Sequence, residues 1–146
     1  MTSPALSLKD FPTHAHDKLR YADTDRQGHV NNSVFATLLE TGRVEIIYAN
    51  KAALHDAGCS FVIASLLIEF LDEIHWPGLV DVGTRVGKIG RSSVTLEQAI
   101  FQQDRCVATS KSVIVQVDSS TRRSSPLSEA AMSRLSALMR KAEFPL

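Results

Sequence analysis

Asp25 stands in the segment Tyr21-Ala-Asp-Thr-Asp-Arg-Gln-Gly-His-Val-Asn-Asn32, a polar stretch that runs directly into a helical pattern carrying Glu40 and Arg43. A carboxylate in such a loop can attack an acyl carbon or take a proton from water. The start of the following helix offers unpaired backbone N–H groups, which stabilise an oxyanion without a charged side chain. A base or nucleophile beside an oxyanion site points to acyl transfer. Gly28 suits the tight bend or close substrate approach that folding this loop back toward Asn32 requires.

The neighbouring residues have plainer readings to set against a chemical one. Asp23 is read as a turn or capping residue. His29 is read first as a hydrogen-bonded residue orienting the loop, with substrate contact as its alternative role. Asn31 and Asn32 suit both helix capping and substrate contact, with Asn32 or Ser33 as the expected cap. Glu40 and Arg43, at i and i+3, form an ordinary surface pair worth about a few tenths of a kcal/mol, while Glu40 stays a second candidate carboxylate. His14 and His16 alternate on an expected strand without further ligands, so no metal site is read from them. Arg122 and Arg123 are solvated loop arginines. A phosphoryl-transfer reading of Asp23-Thr-Asp25 fails at Gln27 and lacks an apolar strand before it.

These residues need elements to hold them. Residues 1–12, with Pro4 and Pro12, read as a loose arm, and Thr13 to Tyr21 as a first strand. Val34 to about His55 reads as a long helix, with Phe35, Leu38, Leu39, Gly42 and Ile46 forming one buried stripe. Gly42 costs the helix about 1 kcal/mol against Ala, a cost explained if the helix presses closely on another backbone. The apolar run from Phe61 to His75 reads as a strand because Trp76-Pro77-Gly78 signals a turn. Val80 to Gly90, Ser92 to Gln103 and Val107 to Val117 continue as an antiparallel meander. After the polar stretch 119–126, residues 128–142 space Met132, Leu135 and Met139 for a short amphipathic C-terminal helix. The order is that of a single α+β domain over 1–146.

The chain has 146 residues and a formal net charge of zero. A domain of that size buries about 68–70% of its unfolded surface, enough for a core without staples. The neutral balance argues against nucleic acid as a partner. Cys59 and Cys106 lie far apart without metal-ligand spacing and read as reduced, small buried residues, which predicts a cytoplasmic protein. Neither a secretory leader nor a membrane span is expected.

With Tyr21, Asp23, Thr24, Asp25, Gly28, His29, Val30, Asn31 and Asn32 followed by Glu40 and Arg43, the chain resembles the hotdog-fold acyl-CoA thioesterases of the 4-hydroxybenzoyl-CoA thioesterase type. The detailed motif covers about residues 20 to 43, and the element order agrees over roughly Thr13 to Asp118. The resemblance implies an antiparallel sheet wrapped around the long helix, and homodimers or homotetramers paired edge to edge with the active site at the dimer interface. It implies Asp25 as nucleophile or general base, an oxyanion and substrate site around Gly28, His29, Asn31 and Asn32, and Glu40 as a helix carboxylate able to face that site. Arg91 and Ser92 would meet the CoA end. No cofactor or metal is expected beyond coenzyme A as part of the substrate. Phe35, Leu38, Leu39 and strand residues would set pocket depth. Thioesters of acyl carrier protein, and acyl-CoA binding without turnover, are the alternatives. A hotdog dehydratase would want an acid–histidine pair in a different local pattern.

Overall fold

The computed structural model describes residues 6–48 and 52–139. Five strands, β1 (Thr13–Lys18), β2 (Cys59–Phe70), β3 (Leu79–Ile89), β4 (Ser93–Gln102) and β5 (Arg105–Asp118), form one antiparallel sheet in the order β1-β3-β4-β5-β2. Gln103 and Asp104, at φ 52° and 64°, close the two-residue hairpin between β4 and β5. Positive φ at both central residues matches the strand twist there.

Helix α1 (Asn32–Tyr48) crosses one face of the sheet over β1, β3 and β4. Its expected stripe is buried, Phe35, Leu38 and Leu39 packing with Val80, Val82, Ile100 and Ala108 in one core cluster. Gly42 permits the approach, since a Cβ there would lie 2.7 Å from both Gln98 Nε2 and Val82 Cγ1. Gln98 completes the contact by donating to the Leu39 carbonyl at 2.9 Å and to Thr84 Oγ1 at 3.0 Å. This is the sheet around a central helix that the resemblance implies.

The structure departs from the sequence reading at several places, and strand β1 ends at Lys18 rather than Tyr21. Helix α1 ends by Tyr48 rather than His55; residues 49–51 lie outside the described set, and Ala52 onward is not helical. Strand β2 stops at Phe70, and the chain crosses residues 71–75 in irregular form. The C-terminal helix α2 runs only from Glu129 to Ser136, capped by Ser128, with positions 140–142 outside the described residues. The N-terminal arm is not loose where it is described. Leu6, Leu8 and Phe11 cover Ala99, Phe101 and Cys106, and the Phe11 ring lies 4.8 Å below the Arg85 guanidinium. Arg85 in turn pairs with Glu97 at 3.0 Å, both side chains buried.

Glu40 and Arg43 do not behave as a surface pair. Glu40 is exposed, whereas Arg43 is buried against the sheet and donates to Gln98 Oε1 at 3.4 Å. Burial lowers the Arg43 pKa from its ordinary value, and the nearby Glu40 charge opposes that only in part.

Sheet and helix leave one flank uncovered. Strand β2 is an edge strand, and pairing with β5 sets Ile63, Leu66, Ile68 and Phe70 on the α1 side of the sheet. A bulge between Ile63 and Ser65 keeps that apolar row in phase. Even so, Ile63, Leu66 and Phe70 are 49%, 38% and 51% exposed.

Candidate active site

The loop between β1 and α1 is closed by its own carboxylates. Asp23 is 5% exposed and accepts from the Arg20 amide at 2.8 Å and the Arg20 guanidinium at 2.9 Å. Burial alone would raise the Asp23 pKa, but the Arg20 hydrogen bonds and charge outweigh it and hold the carboxyl below the ordinary carboxylate range. The Asp23 carbonyl accepts from the Asn31 amide at 2.8 Å, which brings the loop's end back to its beginning. Asp23 is thus a structural anchor.

Asp25 is held differently. Its Oδ1 accepts from the backbone N–H groups of Gln27, at 2.8 Å, and His29, at 3.2 Å. Its amide donates to the His29 carbonyl at 2.7 Å, and Gly28 takes the bend at φ 85°, the left-handed region that glycine enters without strain. Oδ2 makes no hydrogen bond among the described residues, so one oxygen fixes the carboxylate and the other is left for a substrate or a water.

At the start of α1 the cap is Asn31, one residue earlier than expected. Its Oδ1 accepts from the Ser33 amide at 3.0 Å, and its carbonyl from the Val34 amide at 2.9 Å. The Asn32 N–H, first in the helix, has no partner among the described residues. Asp25 and Asn32 line the same cleft of about 340 Å³, together with Gln27, His29, Val30, Phe70, Leu71, Asp72 and Glu73.

The cleft gathers Asp25, His29 and Asn32 of the sequence candidates; Gly28 shapes it from the backbone and Asn31 caps the helix beside it. Glu40 does not line it. Arg91 and Ser92 lie at the other end of the sheet, because Ser93 and Val62 both pair with Val115, while Phe70 is eight residues farther along β2. At about 3.3 Å per residue the separation is roughly 25 Å. Phe35, Leu38 and Leu39 are core residues, and the apolar wall of the cleft is instead Val30, Phe70 and Leu71. Phe35 reaches it only through its edge-on contact with Phe70, at 5.0 Å between ring centroids.

Sequence reading missed the wall from Phe70 to Glu73, which it placed inside a longer strand. Glu73 Oε2 lies 3.1 Å from His29 Nε2, more than forty residues apart in the chain. The one local signal was the alternation of Glu73 and His75 just after the apolar run.

An antiparallel sheet curled over a central helix defines a hotdog domain. Over residues 19–135 the chain matches the Thioesterase-like superfamily, and it belongs to that family. A thioesterase from Thermus thermophilus, solved with coenzyme A and Zn, is 31% identical at a TM-score of 0.78, covering 89% of this chain and 96% of that one. A predicted thioesterase from Bacillus stearothermophilus is 25% identical, also at 0.78, over 88% and 96% of the two chains. The PA5185 protein of Pseudomonas aeruginosa, 22% identical at a TM-score of 0.84 over 96% and 100%, shows the same fold. No curated protein matches the chain. Family membership makes thioester hydrolysis the class of reaction. Among the described residues, no helix is long and apolar enough to cross a membrane.

Proposed function

We propose that the protein hydrolyses acyl-CoA or aroyl-CoA thioesters to the free acid and coenzyme A, with Asp25 as the reacting carboxylate. The observation that carries this reading is the division of labour at Asp25: Oδ1 is tied to two backbone amides, Oδ2 has no hydrogen bond among the described residues, and Asp25 lines the same cleft as Asn32. As nucleophile, Asp25 adds to the carbonyl carbon and the C–S bond breaks, leaving a mixed anhydride that water opens. As general base, it takes a proton from water whose oxygen adds to that carbon, and the tetrahedral intermediate expels the CoA thiolate. Both courses build negative charge on the carbonyl oxygen, where one well-placed donor is worth about 10²–10³ in rate. The Asn32 N–H is the donor assigned. Neither course calls for a metal ion. Phe70 and Leu71 offer the acyl group an apolar wall.

The working unit in this reading is a dimer joined along β2. The strand's outer edge is unpaired among the described residues, and Val62, Ile63, Leu66, Leu67, Phe70 and Leu71 are all exposed, an apolar edge that isolated proteins avoid. Antiparallel pairing of two β2 strands about Ser65 and Leu66 would lay Phe70 of one subunit near the level of Val62 in the other. Arg91 and Ser92 of the partner subunit then approach the cleft they are far from within one chain, placed for the CoA end.

Thiol release from short, medium, long and aromatic acyl-CoAs, alongside the same acyl groups on acyl carrier protein, tests the reading. Turnover confined to CoA esters is the expected result. Preference for the carrier-protein esters would move the substrate class, and tight acyl-CoA binding without thiol release would make the domain a binding module.

A further inference from the structure

His29, Glu73 and His75 make a constellation that the Asp25 chemistry does not use. An isolated antiparallel bridge sets His29 directly opposite His75, and Glu73, two residues before His75, brings its carboxylate to both imidazoles. The backbone beneath them is pinned: the Val30 amide donates to the Ile74 carbonyl at 2.9 Å, and the Gln102 side chain brackets His75 by accepting from its N–H at 3.0 Å and donating to its carbonyl at 2.7 Å. The two imidazoles meet edge to face, 5.6 Å between centroids. Glu73 Oε2 lies 3.1 Å from His29 Nε2 and 3.8 Å from His75 Nε2, and one ligand atom from each of the three residues falls within 4.8 Å of the others. Arg105, the nearby cation, is engaged by Asp72 and touches Glu73 only at its carbonyl, 3.2 Å away. The Glu73 carboxylate is therefore left to the imidazoles.

We propose that His29, Glu73 and His75 bind a divalent transition-metal ion of the zinc type, two imidazoles and one carboxylate leaving the fourth position open. At metal–ligand bonds of about 2.0–2.2 Å, tetrahedral ligands sit about 3.3–3.6 Å apart, a spacing that the 3.1 and 3.8 Å separations bracket. Side chains that are 31%, 53% and 55% exposed have the freedom to close the remaining gap. The donor set selects against calcium and magnesium, which want oxygen ligands. Because His29 and Glu73 line the cleft beside Asp25, the open position is offered to a carboxylate, thiolate or water held there.

The bland reading is an ion pair between Glu73 and protonated imidazoles, and metal titration separates the two. Untagged full-length protein freed of metal with a chelator is titrated with Co²⁺ and followed by visible absorption, then with Zn²⁺ by calorimetry. The expected result is one ion per chain, an intense four-coordinate cobalt spectrum that zinc abolishes, and affinity lowered by about 100-fold or more in both His75→Ala and Glu73→Gln. His14→Ala keeps wild-type affinity. Absence of a cobalt spectrum and of zinc heat at millimolar metal would overturn the proposal, as would binding that survives both ligand substitutions. No substrate enters the measurement, so its outcome is independent of the thioesterase reading.

Discussion

Two carboxylates two positions apart do different work because their partners differ. Asp23 spends both oxygens on Arg20, while Asp25 spends one on backbone amides and keeps the other open. The depressed pKa of Asp23 gives a signed pH prediction: its charged form contributes stability above the unfolded-state pKa of about 3.9, and that contribution is lost as pH falls through the lower folded-state value. Asp23→Asn should therefore melt below wild type at pH 7, with the gap in Tm shrinking below about pH 4. A gap that stays constant down to pH 2 would remove the ion pair from the account. Asp25, Gly28 and the helix start were legible in the sequence because the motif is local and each residue type has a physical reason to be there. Glu73 and His75 were not, since only the bridge across β-type pairing brings them to His29.

Among the elements, α1 was readable because its buried stripe has helical spacing, and Gly42 was readable because it is expensive in a helix. A Gly42→Val substitution adds atoms where a Cβ already meets Gln98 and Val82 at 2.7 Å, so overpacking of about 1–3 kcal/mol outweighs any relief of glycine's backbone entropy. A fall of several degrees in Tm is expected, and an unchanged Tm would mean that α1 can lift from the sheet without cost. Helix α2 is held by a contact that sequence spacing hides. Asp56 accepts from the Ser128 hydroxyl, from the Ser128 amide at 2.9 Å and from Gln116 Nε2 at 3.0 Å. Burial raises its pKa, but these bonds outweigh it and leave the carboxyl below its ordinary value. Asp56→Ala should cost about 2 kcal/mol or more and release the α2 amides to faster hydrogen exchange, with β3 and β4 unaffected. The burial of Arg43 and of the arm at Phe11 escaped sequence reading, because both depend on which face of the sheet is left to cover.

A single chain leaves its β2 flank open, with three apolar helix-side residues exposed there. The account therefore expects a dimer or larger assembly in sedimentation velocity, and Ile63→Glu with Leu67→Glu should shift it to monomer and reduce thioester turnover together. A fully active monomer would sever the site from the β2 edge. The placing of Arg91 and Ser92 follows the same logic: the family resemblance put them in the site, the sheet puts them about 25 Å away, and the assembly is what would return them. The central claim rests on Asp25 itself, and it is tested most directly by kcat of Asp25→Asn against wild type on the acyl-CoA turned over fastest, at matched circular dichroism and Tm. Asparagine keeps an Oδ1 to accept from Gln27 and His29 and loses only the reacting carboxylate oxygen, so the loop is preserved. The account predicts that kcat falls by about 10² or more; a kcat within about threefold of wild type would place the reacting group elsewhere and contradict it.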